Sequence, residues 1–352
     1  MKALLIKLTS MGDLTHALPA ITDAATVYPD IQFDWVVDEG FAEIPGWHPN
    51  VNRVIKTAHR RWKKNKRQTW LQGEFAQFYA QLNRDQYDVM FDAQNNLKSA
   101  VISLLRRGKV AGCDRQTARE YPAHWAYAEK YHIPLRQHAI ARQRQLFAEV
   151  LGYPLPDTPA DYGVDLSRLK LPAIELPDNY LVLVHNASWD TKLWPEDHWL
   201  DLIQQLADAG YSLLLPCGND EEYQRAQRLA ATSEHAMALP RLSLSEIAAV
   251  MNNARGAVCC DTGLAHIGGM LSLPSVSLYG PTDDQLIGAF GEYQVHHVAR
   301  DFECAPCYKK RCDYSGQSSA TAACMQAFSP EKIITDLNTQ IQLRADALNN
   351  PG

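Results

Sequence analysis

The chain lacks any apolar run approaching the ~20 residues that a membrane-spanning helix needs. It shows no internal repeat and no low-complexity tract. Eight cysteines among 352 residues are too sparse for a disulfide scaffold. The absence of G-x-G-x-x-G disfavours a nicotinamide or flavin site, and the absence of G-x-x-x-x-G-K-[ST] excludes a P-loop. No clear DxD-type metal motif is present. The amino-terminal MKALLIKL interrupts its apolar stretch at Lys7 and runs into a polar loop, unlike a secretory signal. Hydrophobic residues at 46% and charged residues at 21% exclude disordered and fibrous classes. The expectation is a soluble, cytoplasmic protein of two domains.

Acidic residues are missing from one stretch. None falls between Glu43 and Glu74, whereas Arg53, Lys56, Arg60, Arg61, Lys63, Lys64, Lys66 and Arg67 all do. Residues 1–165 hold 21 Lys+Arg against 18 Asp+Glu, so the net charge of −6 comes from the second half. The run is either a solvated loop or a surface for an anionic partner.

Short β-rich runs alternate with helical patterns, which predicts doubly wound parallel α/β sheets. In the first half the strands are Ala3–Leu8, Gln32–Val37, Val51–Ile55, Asp88–Phe91 and Val110–Cys113, with helices over Phe75–Arg84, Lys98–Arg106 and His138–Leu151. Five prolines between Tyr153 and Pro177 mark a connector. Beyond it come strands Tyr180–His185, Ser212–Leu215, Gly256–Cys260 and Ser275–Tyr279, with helices opening at Trp194-Pro195, covering Glu221–Ala231 and Leu264–Leu271, and starting at a Ser243/Glu246 capping box. The domains are expected at 1–165 and 178–330, with 331–352 a terminal helix returning toward the first domain.

Ligands of open α/β sheets sit beyond the carboxyl ends of the strands, so three loops matter. In Thr9-Ser10-Met11-Gly12-Asp13, the glycine permits close approach and Asp13 stands at the mouth of a cleft, or else serves as a helix N-terminal carboxylate. The loop from His185 to Pro195 gathers hydroxyls, Lys192 and a helix start, a plausible phosphate cradle. Asp261-Thr262-Gly263-Leu264-Ala265-His266 opens a helix directly after a strand, with free N–H groups suited to a diphosphate.

These blocks, with FDWVVDEGFAEIP, RRWKK, FDAQNNLKSA, QTARE, KLWPEDHW, DTGLAHIGG and YGPTD in this order, resemble glycosyltransferase family 9, the lipopolysaccharide heptosyltransferases, from Met1 to about Asp301. The resemblance implies a GT-B fold, two Rossmann-like domains with the active site in the interdomain cleft. It implies inverting, metal-independent heptose transfer from ADP-L-glycero-β-D-manno-heptose to Kdo, with or without a phosphate, on lipid A, with no cofactor and at the anionic inner-leaflet surface of the membrane. Asp13 would be the general base. Ser188, Lys192, Thr262, Gly263 and Leu264 would hold the diphosphate, and Glu222, with Glu221 as fallback, the ribose. Asp261 and His266 would lie near the donor heptose, and Arg60, Arg61, Lys64, Gln94, Lys98 and Arg119 would meet the acceptor. Ala187-Ser188 replaces a threonine pair, removing one hydroxyl contact. Blocks around Asp34–Pro45 and Arg60–Lys64 favour transfer to Kdo over the family type whose acceptor is the first heptose. A non-catalytic nucleotide-sugar binder is a further alternative, against which the retention of Asp13 and Lys192 argues.

Cys304, Cys307, Cys312 and Cys324, interleaved with Lys309, Lys310 and Arg311, lie outside that pattern. They fit a zinc site, a loop of reduced thiols, or a basic loop facing the acceptor. Cys113, Cys217, Cys259 and Cys260 are expected in the core. Nucleic acid is excluded as a partner by the net charge and by the lack of aromatics along a basic face.

Overall fold

The computed structural model describes residues 1–65, 67, 72–316, 318 and 320–349, in two compact units, Met1–Arg168 and Leu169–Gly352. Lys66 and residues 350–352 therefore lie outside the description.

The first unit is a six-stranded parallel sheet of β1 (Lys2–Ile6), β2 (Gln32–Asp38), β3 (Val51–Thr57), β4 (Val89–Asp92), β5 (Ala111–Cys113) and β6 (Glu129–Tyr131), in the order β3-β2-β1-β4-β5-β6. The second repeats the pattern with β7 (Tyr180–Val184), β8 (Ser212–Leu215), β9 (Ala236–Ala238), β10 (Gly256–Cys260), β11 (Ser275–Tyr279) and β12 (Gln294–Val298), ordered β12-β11-β10-β7-β8-β9. The expected doubly wound α/β class holds for both. Central strands such as β7, β10 and β11 are buried along their whole length, as parallel strands covered on both faces must be. The order reverses between β1 and β4 in one sheet and between β7 and β10 in the other, so those strand ends form the natural ligand positions.

The helix Pro330–Asn349 packs on the second unit, where Ile333 and Leu337 enter the core with Trp194, Trp199 and Met325. Its approach explains a glycine, since a Cβ on Gly256 in β10 would come within 3.0 Å of Leu337 Cδ1 and the Pro274 carbonyl. The Ser243/Glu246 capping box forms as expected, with Glu246 accepting from Ser243 N at 2.8 Å.

At the amino end of the first sheet, away from the strand-end loops, fully buried Asp34 accepts from Arg53 Nε at 3.0 Å, Tyr87 Oη at 2.7 Å and Asn52 Nδ2 at 3.0 Å. Burial pushes this carboxyl up, but the hydrogen bonds and the guanidinium outweigh it and hold it below the usual range. Removing one partner of a buried charge pair costs about 3–5 kcal/mol, so Arg53→Met should lower the urea midpoint markedly. Because the Asp34 pKa is depressed in the folded state, its stabilising contribution is present above the unfolded carboxyl pKa. It is lost as pH falls through the lower folded value, and denaturation profiles of wild type and variant should converge in acid.

Candidate active site

In the first unit the site grows from the carboxyl ends of β1 and β4. Lys7 follows β1 and is buried, its ammonium donating to the Ala93 carbonyl at 3.0 Å. Gln94 follows β4 and accepts from Leu8 N at 3.0 Å and Thr9 N at 3.1 Å, locking the two loops together. Asp92 fixes the turn by accepting from Gln94 N and Asn95 N at 2.8 and 2.9 Å, and from Tyr127 Oη at 2.7 Å. Asp13 projects from the short helix Met11–Thr15 into a cavity of about 60 Å³ shared with Lys7, Gln94, Arg119 and Arg142.

Asp13 caps its helix and lines the cavity at once. Its Oδ2 caps the helix by accepting from Ser10 N at 3.0 Å and also accepts from Arg119 Nη1 at 3.2 Å. Among the described residues its hydrogen bonds all fall on Oδ2, leaving Oδ1 for a proton. Burial works against the carboxylate, but the Lys7 and Arg119 charges prevail and its pKa lies below the usual range. Burial pulls Lys7 down to about 8, partly opposed by Asp13. Asp13 is therefore ionised at neutral pH, as a base must be.

The acceptor-side expectations divide. Gln94 lines the cavity, but its carboxamide oxygen is spent on Leu8 and Thr9. Arg119 is brought onto Asp13. Arg61 differs most: it is held by Glu39 at 2.9 Å and Glu74 at 2.7 Å, acids that sequence distance hid. Arg53 is likewise engaged by Asp34 and Asp85. Lys56, Arg60, Lys63, Lys64, Arg67 and Lys98 remain exposed.

In the second unit the loops after β7, β10 and β11 converge. Lys192 Nζ meets Asp261 Oδ2 at 2.6 Å, and Thr282 Oγ1 donates to the same oxygen at 2.6 Å. The Lys192 ammonium also lies 4.7 Å from the centre of the Trp189 ring. Thr262 begins the helix Gly263–Met270 without a side-chain cap, so its first N–H groups face outward, and His266 is buried one turn on. Ser188 is exposed in the loop after β7. Glu222, in the first turn of Asp220–Ala230 beyond β8, accepts from Gly218 N at 2.7 Å and shapes that loop, while Glu221 is exposed.

The cysteine segment packs on the strand-end loops of the second unit. All eight cysteines are free, and among the described residues no three His, Cys, Asp or Glu are placed as a metal ligand set, although the thiols of Cys304, Cys307 and Cys312 lie near enough to Cys324 to help raise its pKa. Cys324 is a core residue, its thiol pushed up to about 11 by burial. Two of the segment's three cations make separate contacts. Lys309 pairs with Asp313 at 2.6 Å, and Lys310 stands 5.7 Å from the Trp189 ring centre. The segment is seated on the Lys192 loop, because Thr191 Oγ1 donates to the Lys309 carbonyl at 2.7 Å and Tyr308 N to the Pro281 carbonyl at 2.8 Å. Cys113, Cys259 and Cys260 are buried as expected, and Cys217 is half-buried.

Sequence reasoning passed over Lys7, Arg142, Trp189 and Thr282. Lys7 carried a signal, a lysine closing a wholly apolar strand. Thr282 lay in YGPTD without a role.

A carboxylate kept ionised at the strand ends of one unit, and an ammonium beside a helix start in the other, are groups that acid–base and charge-stabilising catalysis can use. Residues 75–317 match the model of glycosyltransferase family 9 (heptosyltransferase), and the chain belongs to that family. It is 45% identical to lipopolysaccharide heptosyltransferase 1 of Pseudomonas aeruginosa, over 97% of this chain and 98% of that one. Identity to lipopolysaccharide heptosyltransferase 1 of Escherichia coli K12 is 44%, over 84% and 92%. Among solved structures it is similar to E. coli heptosyltransferase WaaC with ADP, at a TM-score of 0.84 and 38% identity, covering 97% of this chain and all of that one. It is also similar to WaaC with ADP-2-deoxy-2-fluoro heptose, at a TM-score of 0.76 and 42% identity, over 84% and 93%.

If Lys7 holds Asp13 ionised, Lys7→Met should raise the carboxyl pKa. The acid limb of the kcat/KM profile should then move to higher pH, with the plateau reduced less than by loss of Asp13 itself. An unmoved acid limb in the pH–rate profile would separate the two residues.

Proposed function

We propose that this chain transfers L-glycero-D-manno-heptose from ADP-heptose to a Kdo hydroxyl of lipid A, with inversion. The acceptor oxygen attacks the anomeric carbon, the bond from that carbon to the diphosphate oxygen breaks, and ADP departs with the electron pair. Asp13 Oδ1 takes the hydroxyl proton. Lys192, with the N–H groups from Gly263 onward and the Ser188 hydroxyl, stabilises the charge growing on the leaving diphosphate. Lys310, whose ammonium also stands over the Trp189 ring, adds a second cation near Lys192. The observation that carries the reading is Asp13, ionised between Lys7 and Arg119 with one oxygen unengaged.

The proposal includes independence from divalent metal. Asp261, the carboxylate beside the helix start, is already engaged by the Lys192 ammonium and the Thr282 hydroxyl. Among the described residues no helix is long and apolar enough to cross a membrane. The acceptor is lipid-anchored in this reading, so the reaction takes place at an anionic membrane surface, with exposed Arg60, Lys64 and Lys98 toward the acidic sugar.

Asp13→Asn should retain ADP binding and lose ~10²–10⁴-fold in turnover, the range for a lost general base. Lys192→Ala should lower kcat and donor affinity together, and turnover should persist in EDTA. Near-normal turnover of the Asn variant, or a strict need for added Mg²⁺, would overturn the mechanism.

Arg60→Ala with Lys64→Ala should raise KM for the lipid acceptor while leaving KM for ADP-heptose unchanged. Salt should raise the wild-type acceptor KM in the same direction, since exposed charges are screened beyond ~8–10 Å. Arg61→Ala should instead be read mainly in the melting temperature, because that guanidinium is spent on Glu39 and Glu74.

A further inference from the structure

The helix Leu97–Leu105 begins two residues after Asn95, which lines the Asp13 cavity. Its inner side buries Ala100 and Ile102 in the first unit's core. Its outer side does the reverse of what a solvent-facing helix should. Leu97, Val101 and Leu104, spaced four and three apart on one face, are all exposed, Leu104 by 71%. The helix packs against the turn Tyr121–Ala126, and its start is tied to that turn by Leu97 N donating to Glu120 Oε2 at 2.8 Å. That turn exposes Tyr121 and Trp125, the latter by 70%, with their rings 5.9 Å apart. Five large apolar side chains therefore lie outward on two adjoining elements, and an exposed apolar patch of this kind marks a surface that something covers.

Charge says what covers it. From Leu97 to Ala126 the chain holds six cations, Lys98, Arg106, Arg107, Lys109, Arg115 and Arg119, against two acids. Both acids are spent internally, Glu120 on the Leu97 amide and Asp114 on Thr117 and His132. The Arg115 guanidinium stands 5.0 Å from the Tyr121 ring centre, a cation at the edge of the apolar patch. Leucine and valine flanked by tryptophan, tyrosine and a cationic rim are the composition of a surface that sits in a bilayer interface with anionic headgroups.

We propose that the outer face of Leu97–Leu105, with Tyr121 and Trp125, docks on an anionic lipid bilayer and inserts its apolar side chains into the interface. This rests on the transferase reading for its purpose, since it would hold the Asp13 cavity beside a lipid-anchored acceptor, but not for its test. The basic run Arg53–Arg67 supplies attraction without apolar depth, whereas this face supplies both.

The full chain is sedimented with phosphatidylcholine vesicles containing phosphatidylglycerol and with pure phosphatidylcholine vesicles. Wild type should partition onto the anionic vesicles. Leu104→Glu and Trp125→Ala, each at an exposed position, should weaken that partition at least about tenfold without shifting the melting temperature. Their kcat/KM should fall on vesicle-embedded acceptor and be unchanged on a deacylated, water-soluble acceptor. Equal partition of wild type and both variants would overturn the proposal. So would a lipid-free dimer of the wild type that Leu104→Glu converts to monomer, which would assign the face to a second copy. Absence of turnover on the deacylated acceptor by wild type would count against the transferase reading alone, since vesicle partition is measured without turnover.

Discussion

A buried ammonium ties the first unit's strand ends together. Lys7 closes β1, reaches across to the Ala93 carbonyl beyond β4, and has its own carbonyl held by Trp35 Nε1 at 2.8 Å from β2. Groups from β2 and from the ends of β1 and β4 thus meet on one residue. An unpaired ammonium there would be costly, and Asp13 offsets that cost from the loop above. Packing at the reversal point of the sheet and an ionised base at the site are consequences of one charge placed where an apolar side chain would be expected.

The second unit meets the same constraint with the roles exchanged. Its nearly buried acid, Asp261, ends β10 and is satisfied by Lys192 from the loop after β7 and Thr282 from the loop after β11. In the second unit the charge at a central strand end is met from the loop across the reversal, whereas in the first Lys7 is met by Asp13 from the segment that follows its own strand. The resulting pair defines where a ligand can bring its own charge. Arg119 and Lys310 then add cations from loops late in each unit.

What was legible in the sequence follows from how each element is stabilised. Buried central strands announce themselves, and Ser212–Leu215, Gly256–Cys260 and Ser275–Tyr279 were readable to the residue. Three of the four edge strands do not: Glu129–Tyr131 and Ala236–Ala238 are three residues long, and Gln294–Val298 interrupts its apolar residues with two histidines, whereas the edge strand Val51–Thr57 was legible. Asp13, Lys192 and Asp261 were legible through their loops and the family resemblance. The pairing of Arg61 with Glu39 and Glu74 was not, since a charge run read along the chain says nothing of acids brought in from 22 and 13 residues away. The spacing of the cysteines did not show that Cys324 packs in the core beside Met325, nor that Lys309 and Lys310 make separate contacts.

The contact between Lys192 and Asp261 also sets what the second unit ignores. With side-chain exposures of 11% and 3%, the pair presents a nearly neutral, desolvated surface rather than a bare cation. A chloride or an orthophosphate ion must pull the ammonium away from a carboxylate at 2.6 Å to reach it, and it brings a single point of contact in exchange. In the proposed function a diphosphate would span the ammonium and the helix start together, carried in by a base and a sugar with contacts of their own. On that reading the pair would act as a filter on anion size and connectivity, keeping the cradle from being titrated by small anions.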